Sequence, residues 1–166
     1  MPTTPAVDRL LGALADGEVE IIVVGGAAGL LHGAPIATYD LDIVHERTDG
    51  NIAKLLAVLA SIGAHHRPDP ARRRIAPTAE ALRGTGHVLL DTAHGPLDLL
   101  CELAPGEGFE QLLPRTEMVT DGRISVRVLT LPALIEIKER TGRAKDRLML
   151  AALIATLEER CRSGGR

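Results

Sequence analysis

The sequence predicts a mixed domain, α/β in content and α+β in the grouping of its elements. Three observations predict it. An apolar β-branched run, Ile21-Ile22-Val23-Val24, breaks at Gly25-Gly26, and such a run bounded by glycine reads as a buried strand. Two pairs of strand-like segments, 87–92 with 96–103 and 118–120 with 124–129, fill the middle of the chain, each pair joined by a short turn-forming stretch. Segments of helical periodicity stand before and after them.

Taken in order, Val7, Leu10, Leu11 and Leu14 share one face and predict a helix over 7–14, ended by Ala15-Asp16-Gly17. Glu20–Val24 is the first strand. Gly25-Gly26 allows a tight turn in which backbone approaches a ligand closely. Ala27–His32 suits a short helix, whose N-terminus would direct free N–H groups at whatever lies over the turn, a natural place for phosphate. Gly33-Ala34-Pro35 breaks that helix, and Tyr39–Val44 is the next strand. Period two puts Asp40 and Asp42 on one face, Leu41 and Ile43 on the other.

Glu46–Gly50 is a turn. Asn51–Ile62 is an amphipathic helix, with Ile52, Leu55, Leu56 and Leu59 on one side. Residues 64–74 are polar and read as a loop. Their Arg72-Arg73-Arg74 cluster suits either a solvated surface or a grip on phosphate or RNA. A helical turn at 78–82 precedes a hairpin of 87–92 and 96–103 across Thr92-Ala93-His94-Gly95. A short helix at 108–113 precedes a second hairpin around Asp121-Gly122. Leu131–Arg140 is a helix with Pro132 in its first turn, broken by Thr141-Gly142. A last helix covers about 144–161.

The 166 residues suit one domain, with a core over about 18–130 and C-terminal helices over about 131–162. The chain has one Phe, one Tyr and no Trp, so Leu, Ile, Val and Ala must fill the core. Lys+Arg is 19 against Asp+Glu 22, a net charge of −3. That balance argues against a general nucleic-acid coat protein. Cys101 and Cys161 match no metal spacing and read as free thiols of a reducing compartment. No stretch reaches the ~18 apolar residues of a membrane span, and residues 1–15 lack a signal-peptide pattern. A soluble, cytoplasmic protein without a membrane partner is expected.

The chemistry concentrates at residues 21–44. Two adjacent carboxylates repel and call for a cation. Oxygen-only donors suit a hard ion, Mg²⁺ or Mn²⁺. A phosphate cradle beside a metal-binding pair points to metal-assisted chemistry on a nucleoside triphosphate. Asp98 interrupts an otherwise apolar strand, which is unusual unless it faces solvent or has a partner. It either sits on a solvated sheet face or joins Asp40 and Asp42 as a third ligand that also takes a proton from an attacking hydroxyl. Asp91, at the end of the preceding strand, ranks below it.

Gly25-Gly26, then Asp40-x-Asp42, then a lone Asp in a later strand resembles the nucleotidyltransferase superfamily of the DNA polymerase β type. The short prokaryotic minimal nucleotidyltransferases and toxin-like relatives of the AbiEii kind are the most similar members. Their Gly-x-x-Arg-x-Thr-x-Asp-ϕ-Asp-ϕ stretch is matched by Gly33, Thr38, Asp40, Leu41, Asp42 and Ile43. Lys138, Gly142-Arg143 and Lys145-Asp146 resemble their Lys-x-x-x-Gly-Arg-x-Lys-Asp segment. The likeness spans about residues 18–155.

The resemblance implies a nucleotidyltransferase fold, a mixed sheet flanked by helices with the motif strands side by side. It implies transfer of a nucleoside monophosphate from an NTP to a hydroxyl on RNA, protein or a small molecule, with an antitoxin as a further partner. In it Gly25 and Gly26 hold the triphosphate, Asp40 and Asp42 bind Mg²⁺ (or Mn²⁺), and Asp98 binds one ion and activates the acceptor. Lys138 and Lys145 either contact phosphate or pair on the surface with Glu136, Glu139 or Asp146.

The chain departs from the pattern at Ile36, where the family carries Arg. Either another cation substitutes (Lys138, Lys145 or the 72–74 cluster), or activity is weak, or the protein binds without catalysing. His32 reads as a packing or capping residue. His65-His66 lacks a third ligand, His94 lies where it could reach a substrate, and Thr38 reads as a backbone hydrogen-bonder. Gly25-Gly26-x-x-Gly29 lacks the order of a dinucleotide fingerprint, and no Gly-Lys-Ser/Thr marks a Walker loop.

Overall fold

The computed structural model describes residues 4–67, 71, 73–142 and 146–164. Helix α1 (Pro5–Asp16) starts at Thr4, whose hydroxyl accepts the Val7 N–H at 3.4 Å. It extends the predicted 7–14 by two residues at each end. All four predicted core residues, Val7, Leu10, Leu11 and Leu14, are buried. Strand β1 (Ile21–Val24) is buried along its whole length.

Helix α2 (Gly25–Leu31) follows β1 with no separate turn, where the sequence predicted a helix only from Ala27. Gly25 turns the chain in a single residue by adopting φ +63°, a conformation open to glycine at little cost. Strand β2 (Leu41–His45) begins after Asp40. Asp40 therefore sits in the bend before the strand, and only Asp42 of the pair lies in the ladder.

Helix α3 (Asp49–Ser61) is capped by Thr48. Strand β3 (His65–His66) occupies a segment predicted as loop; two residues carry no periodicity, and pairing alone makes them a strand. Helix α4 (Ala79–Arg83) precedes a hairpin of β4 (His87–Thr92) and β5 (Gly95–Leu100). β5 stops at Leu100 rather than at 103. Helix α5 (Phe109–Leu112) and a 3₁₀ turn (Leu113–Arg115) lead to β6 (Thr116–Asp121) and β7 (Ile124–Leu129). Helix α6 (Leu131–Thr141) ends at Gly142, which is left-handed with φ +59°. Helix α7 (Asp146–Ser163) closes the fold. The predicted start of this helix, near Ala144, lies outside the described residues.

The seven strands form one sheet in the order β3-β4-β5-β2-β1-β7-β6. The β1–β7 and β2–β5 pairs are parallel and the other four antiparallel. The sheet is thus mixed, and seven α-helices flank it among the described residues.

One side of the β2–β5–β4 half is apolar. Leu41 pairs with Leu97, and Leu97 with Leu90; Ile43 pairs with Leu99, and Leu99 with Val88. All six are buried and join the core with Leu10, Leu14, Ile52, Leu55 and Leu59 of α1 and α3. The alternate residues of β4 and β5 are half-buried or exposed. That open side carries Asp42, Leu89 and Asp98.

Candidate functional site

Sheet register assembles the site. Val24 pairs with Asp42, Asp42 with Asp98, and Asp98 with Leu89. The Arg67 N–H donates to the Leu89 carbonyl at 2.8 Å. Val24, Asp42, Asp98, Leu89 and Arg67 therefore form one row across five neighbouring positions. Parallel pairing of β2 with β5 sets the Asp42 and Asp98 carboxylates side by side. Asp40 joins them from the bend, where the Thr38 hydroxyl lies 3.1 Å from the Asp40 carbonyl oxygen and 2.9 Å from its Oδ1. One carboxylate oxygen from each of Asp40, Asp42 and Asp98 lies within 4.8 Å of the others.

This crowding has an electrostatic cost. Burial, then repulsion from Asp40 and Asp98, pushes the Asp42 carboxyl up to about 7. Burial raises Asp98 as well, against the pull of Arg67. Hard oxygen donors, like charges and partial removal from water are what a divalent cation relieves. Asp40, Asp42 and Asp98 thus fit such an ion chemically.

Arg67 is the part of the site that sequence reasoning missed. Its Nη2 lies 2.7 Å from Asp98 Oδ1, and its Nη1 lies 3.6 Å from Asp91 Oδ1. Asp91, the rival third carboxylate, is engaged there and stands outside the carboxylate cluster. No spacing could have revealed Arg67, because its reach to Asp98 depends on the unpredicted strand β3.

The two glycines are demanded by their neighbours. A side chain at Gly25 would run into the Asp42 carboxylate, and one at Gly26 would sit 2.9 Å from Thr38 Oγ1. No side chain caps the N-terminus of α2. Both glycines and the three aspartates line one cavity of about 650 Å³, together with Tyr39, His87 and Lys138.

Lys138 Nζ lies 2.9 Å from Asp146 Oδ1, and Asp146 is buried. Both residues line the cavity, and the Lys138 charge pulls Asp42 downward. Lys145 and Arg143 lie outside the described residues, as does Arg72; Arg73 and Arg74 are exposed.

Ile36 is turned away from this chemistry. With Leu153 of α7 it covers Gly29, where an added Cβ would lie 2.6 Å from Ile36 Cδ1 and 3.0 Å from Leu153 Cδ2. His32 packs, as predicted: it is buried, its Nε2 lies 2.8 Å from the Leu129 carbonyl, and burial lowers its pKa. His94 does not line the carboxylate cavity. It borders a separate hollow with Asp16 and Lys54, because the two-residue turn carries it past the end of β4. His87, at the start of β4, lines the cavity instead. Cys101 is buried and Cys161 exposed, both as free thiols.

No protein-family model matches the chain, and no curated protein matches it in sequence. A solved structure matches its fold: a "putative nucleotidyltransferase" of Thermotoga maritima, with a TM-score of 0.55 over 90% of each chain. The fold is nucleotidyltransferase-like. At 14% identity the likeness is one of fold. Among the described residues no helix is long and apolar enough to cross a membrane.

Proposed function

We propose that this chain is a metal-dependent nucleotidyltransferase that moves a nucleoside monophosphate from an NTP to a hydroxyl acceptor. The convergence of Asp40, Asp42 and Asp98 within 4.8 Å of one another carries the reading. The fold shared with a protein described as a "putative nucleotidyltransferase" supports it.

In this reading Asp40, Asp42 and Asp98 hold the ion or ions. When bound, Mg²⁺ or Mn²⁺ supplies Lewis-acid stabilisation of charge on the transferring phosphoryl oxygens. The chain does the rest. Gly25 and Gly26 let the α2 backbone approach the triphosphate, and Lys138, with Lys145, offers positive charge to it. Asp98 Oδ1 is engaged by Arg67. The acceptor oxygen forms a bond to the α-phosphorus as its proton passes to Asp98. The bond from the α-phosphorus to the bridging oxygen breaks, and pyrophosphate leaves. Arg67 is a cation already at the cluster, where the family pattern has Arg in place of Ile36.

The whole chain acts as one domain in the cytoplasm and is related to the minimal nucleotidyltransferases. A toxin–antitoxin role follows for the AbiEii-like branch, and the acceptor is RNA, protein or a small molecule. A second reading, a nucleotide- or protein-binding module that no longer catalyses, is favoured by Ile36, whose side chain is spent on packing against Gly29 and Leu153.

The test uses each of the four NTPs labelled at the α-phosphate, with Mg²⁺ or Mn²⁺, and bulk RNA, lysate protein and the chain itself as acceptors. The wild type transfers label and Asp40→Asn/Asp42→Asn does not. NTP binding without transfer would favour the second reading.

A further inference from the structure

The cavity beside the carboxylates has few rings in its wall. Val24, Leu89, Leu129, Leu134, Ile137 and Met149 give it an apolar wall, and among the described residues Tyr39 and His87 alone bring rings to it. Phe109, the other benzenoid ring of the chain, is buried in the core. Tyr39 is held out instead. It is 82% exposed at the edge of the cavity, directly before Asp40. The Thr38–Asp40 contacts pin the bend that carries it. A tyrosine ring pairs a large apolar face with a polar hydroxyl, and this one stands one residue, about 3.8 Å between Cα atoms, from Asp40, which is assigned to the metal ion.

We propose that Tyr39 is the stacking platform for the heterocyclic base of the nucleoside triphosphate. The inference rests on the nucleotidyltransferase reading and adds the residue that grips the nucleoside. A base joins its α-phosphate through the ribose alone, so a ring next to Asp40 is within a nucleoside's length of the carboxylates. Tyr39 offers its face to the base and its hydroxyl to water. His87 stands on β4, on the Asp98 side of the cavity, and is left to the acceptor.

The chain itself supplies a clean probe, because it contains a single tyrosine and no tryptophan. Proton NMR of the protein with ring-labelled tyrosine observes Tyr39 alone. The ligands are the four NTPs with a methylene bridge between α- and β-phosphorus, which blocks transfer, and inorganic tripolyphosphate, which has no base. All are added with Mg²⁺, and affinities are measured by calorimetry.

A bridged NTP moves the ring protons upfield, whereas tripolyphosphate binds without moving them. Tyr39→Leu weakens NTP binding by roughly 5- to 150-fold, the range of one aromatic–base stack, and leaves tripolyphosphate binding unchanged. Tyr39→Phe binds the NTP as the natural chain does. Suppose the NTP binds, loses affinity in Asp40→Asn/Asp42→Asn, yet leaves the ring unmoved and Tyr39→Leu unaffected. The stacking role is then wrong and the nucleotidyltransferase reading stands. If neither an NTP nor tripolyphosphate binds, both fall.

Discussion

Strands β1 and β5 lie in the same sheet with only β2 between them, yet they are built on different plans. β1 is buried at all four positions, with α2 packed back upon it. β5 alternates, with Leu97 and Leu99 buried and Asp98 and Leu100 half-exposed. A strand covered on both faces reads as unbroken aliphatics; a strand covered on one face has alternate positions free for chemistry. β2, between them, has Asp42 as its one half-buried position and buried residues elsewhere. The carboxylates stand where the cover of the sheet gives out.

Two neighbours on β5 should respond in opposite ways. Leu97→Ala removes a fully buried side chain and should cost about 2–5 kcal/mol in urea unfolding. Asp98→Asn, one residue on, keeps the shape and faces the open side. It should change stability by under about 1 kcal/mol while abolishing transfer. Equal costs at the two positions would deny that β5 has one core face and one working face.

The metal should act only on the open half. Saturating Mg²⁺ or Mn²⁺ at about a hundred times its dissociation constant should add about 2.7 kcal/mol of stability, read as a raised melting temperature. Asp40→Asn/Asp42→Asn should lose the effect, and Leu97→Ala should keep it. At the junction of the two halves, Gly25→Ala puts a side chain at φ +63° against the Asp42 carboxylate. The backbone alone costs about 1–2 kcal/mol, and displacement of Asp42 should weaken the metal effect. An unchanged melt with and without ion would contradict this.

A further effect is on pH dependence. Asp42 is raised in the folded state from its ordinary 3.8 to about 7. Between those values the native protein holds the extra proton, so its metal-free stability falls as pH rises across the window. His32 and His45, lowered from 6.5 by burial, act oppositely: the stability they contribute is lost as pH falls below 6.5. The difference between wild type and Asp42→Asn cancels the histidines. Without metal it should drift against the wild type from pH 4 to 7. With metal, which competes with the proton, the stabilisation should be larger at pH 8 than at pH 6.

Much of this organisation could be read in the sequence, and the gaps have physical causes. Helices α1, α3 and α6 repeat over several turns and are fixed by local spacing. Strand β7 matches its predicted bounds because a hairpin turn and a helix-opening proline punctuate it. Asp98 stood out because an aspartate in an aliphatic strand needs a reason. Strand β3 was invisible, since two histidines form a strand only by pairing with Asp91 and Leu90 of β4. Arg67 was lost with it, as was the sense of Asp91. The displacement of Asp40 into a bend was equally hidden, because the alternating pattern is the same whether the strand starts at 39 or at 41. Ile36 read as a missing cation, while its place against Gly29 and Leu153 joins α2 to a helix more than a hundred residues away.

On the proposed function, Asp40, Asp42 and Asp98 together form a divalent-cation site. Mn²⁺ titration followed by electron paramagnetic resonance of the free ion tests it most directly. Wild-type protein should deplete the free-ion signal stoichiometrically at neutral pH, and Asp42→Asn and Asp98→Asn should each leave more Mn²⁺ free. A free-ion signal depleted equally by wild type and both variants, or by none of them, would contradict the site.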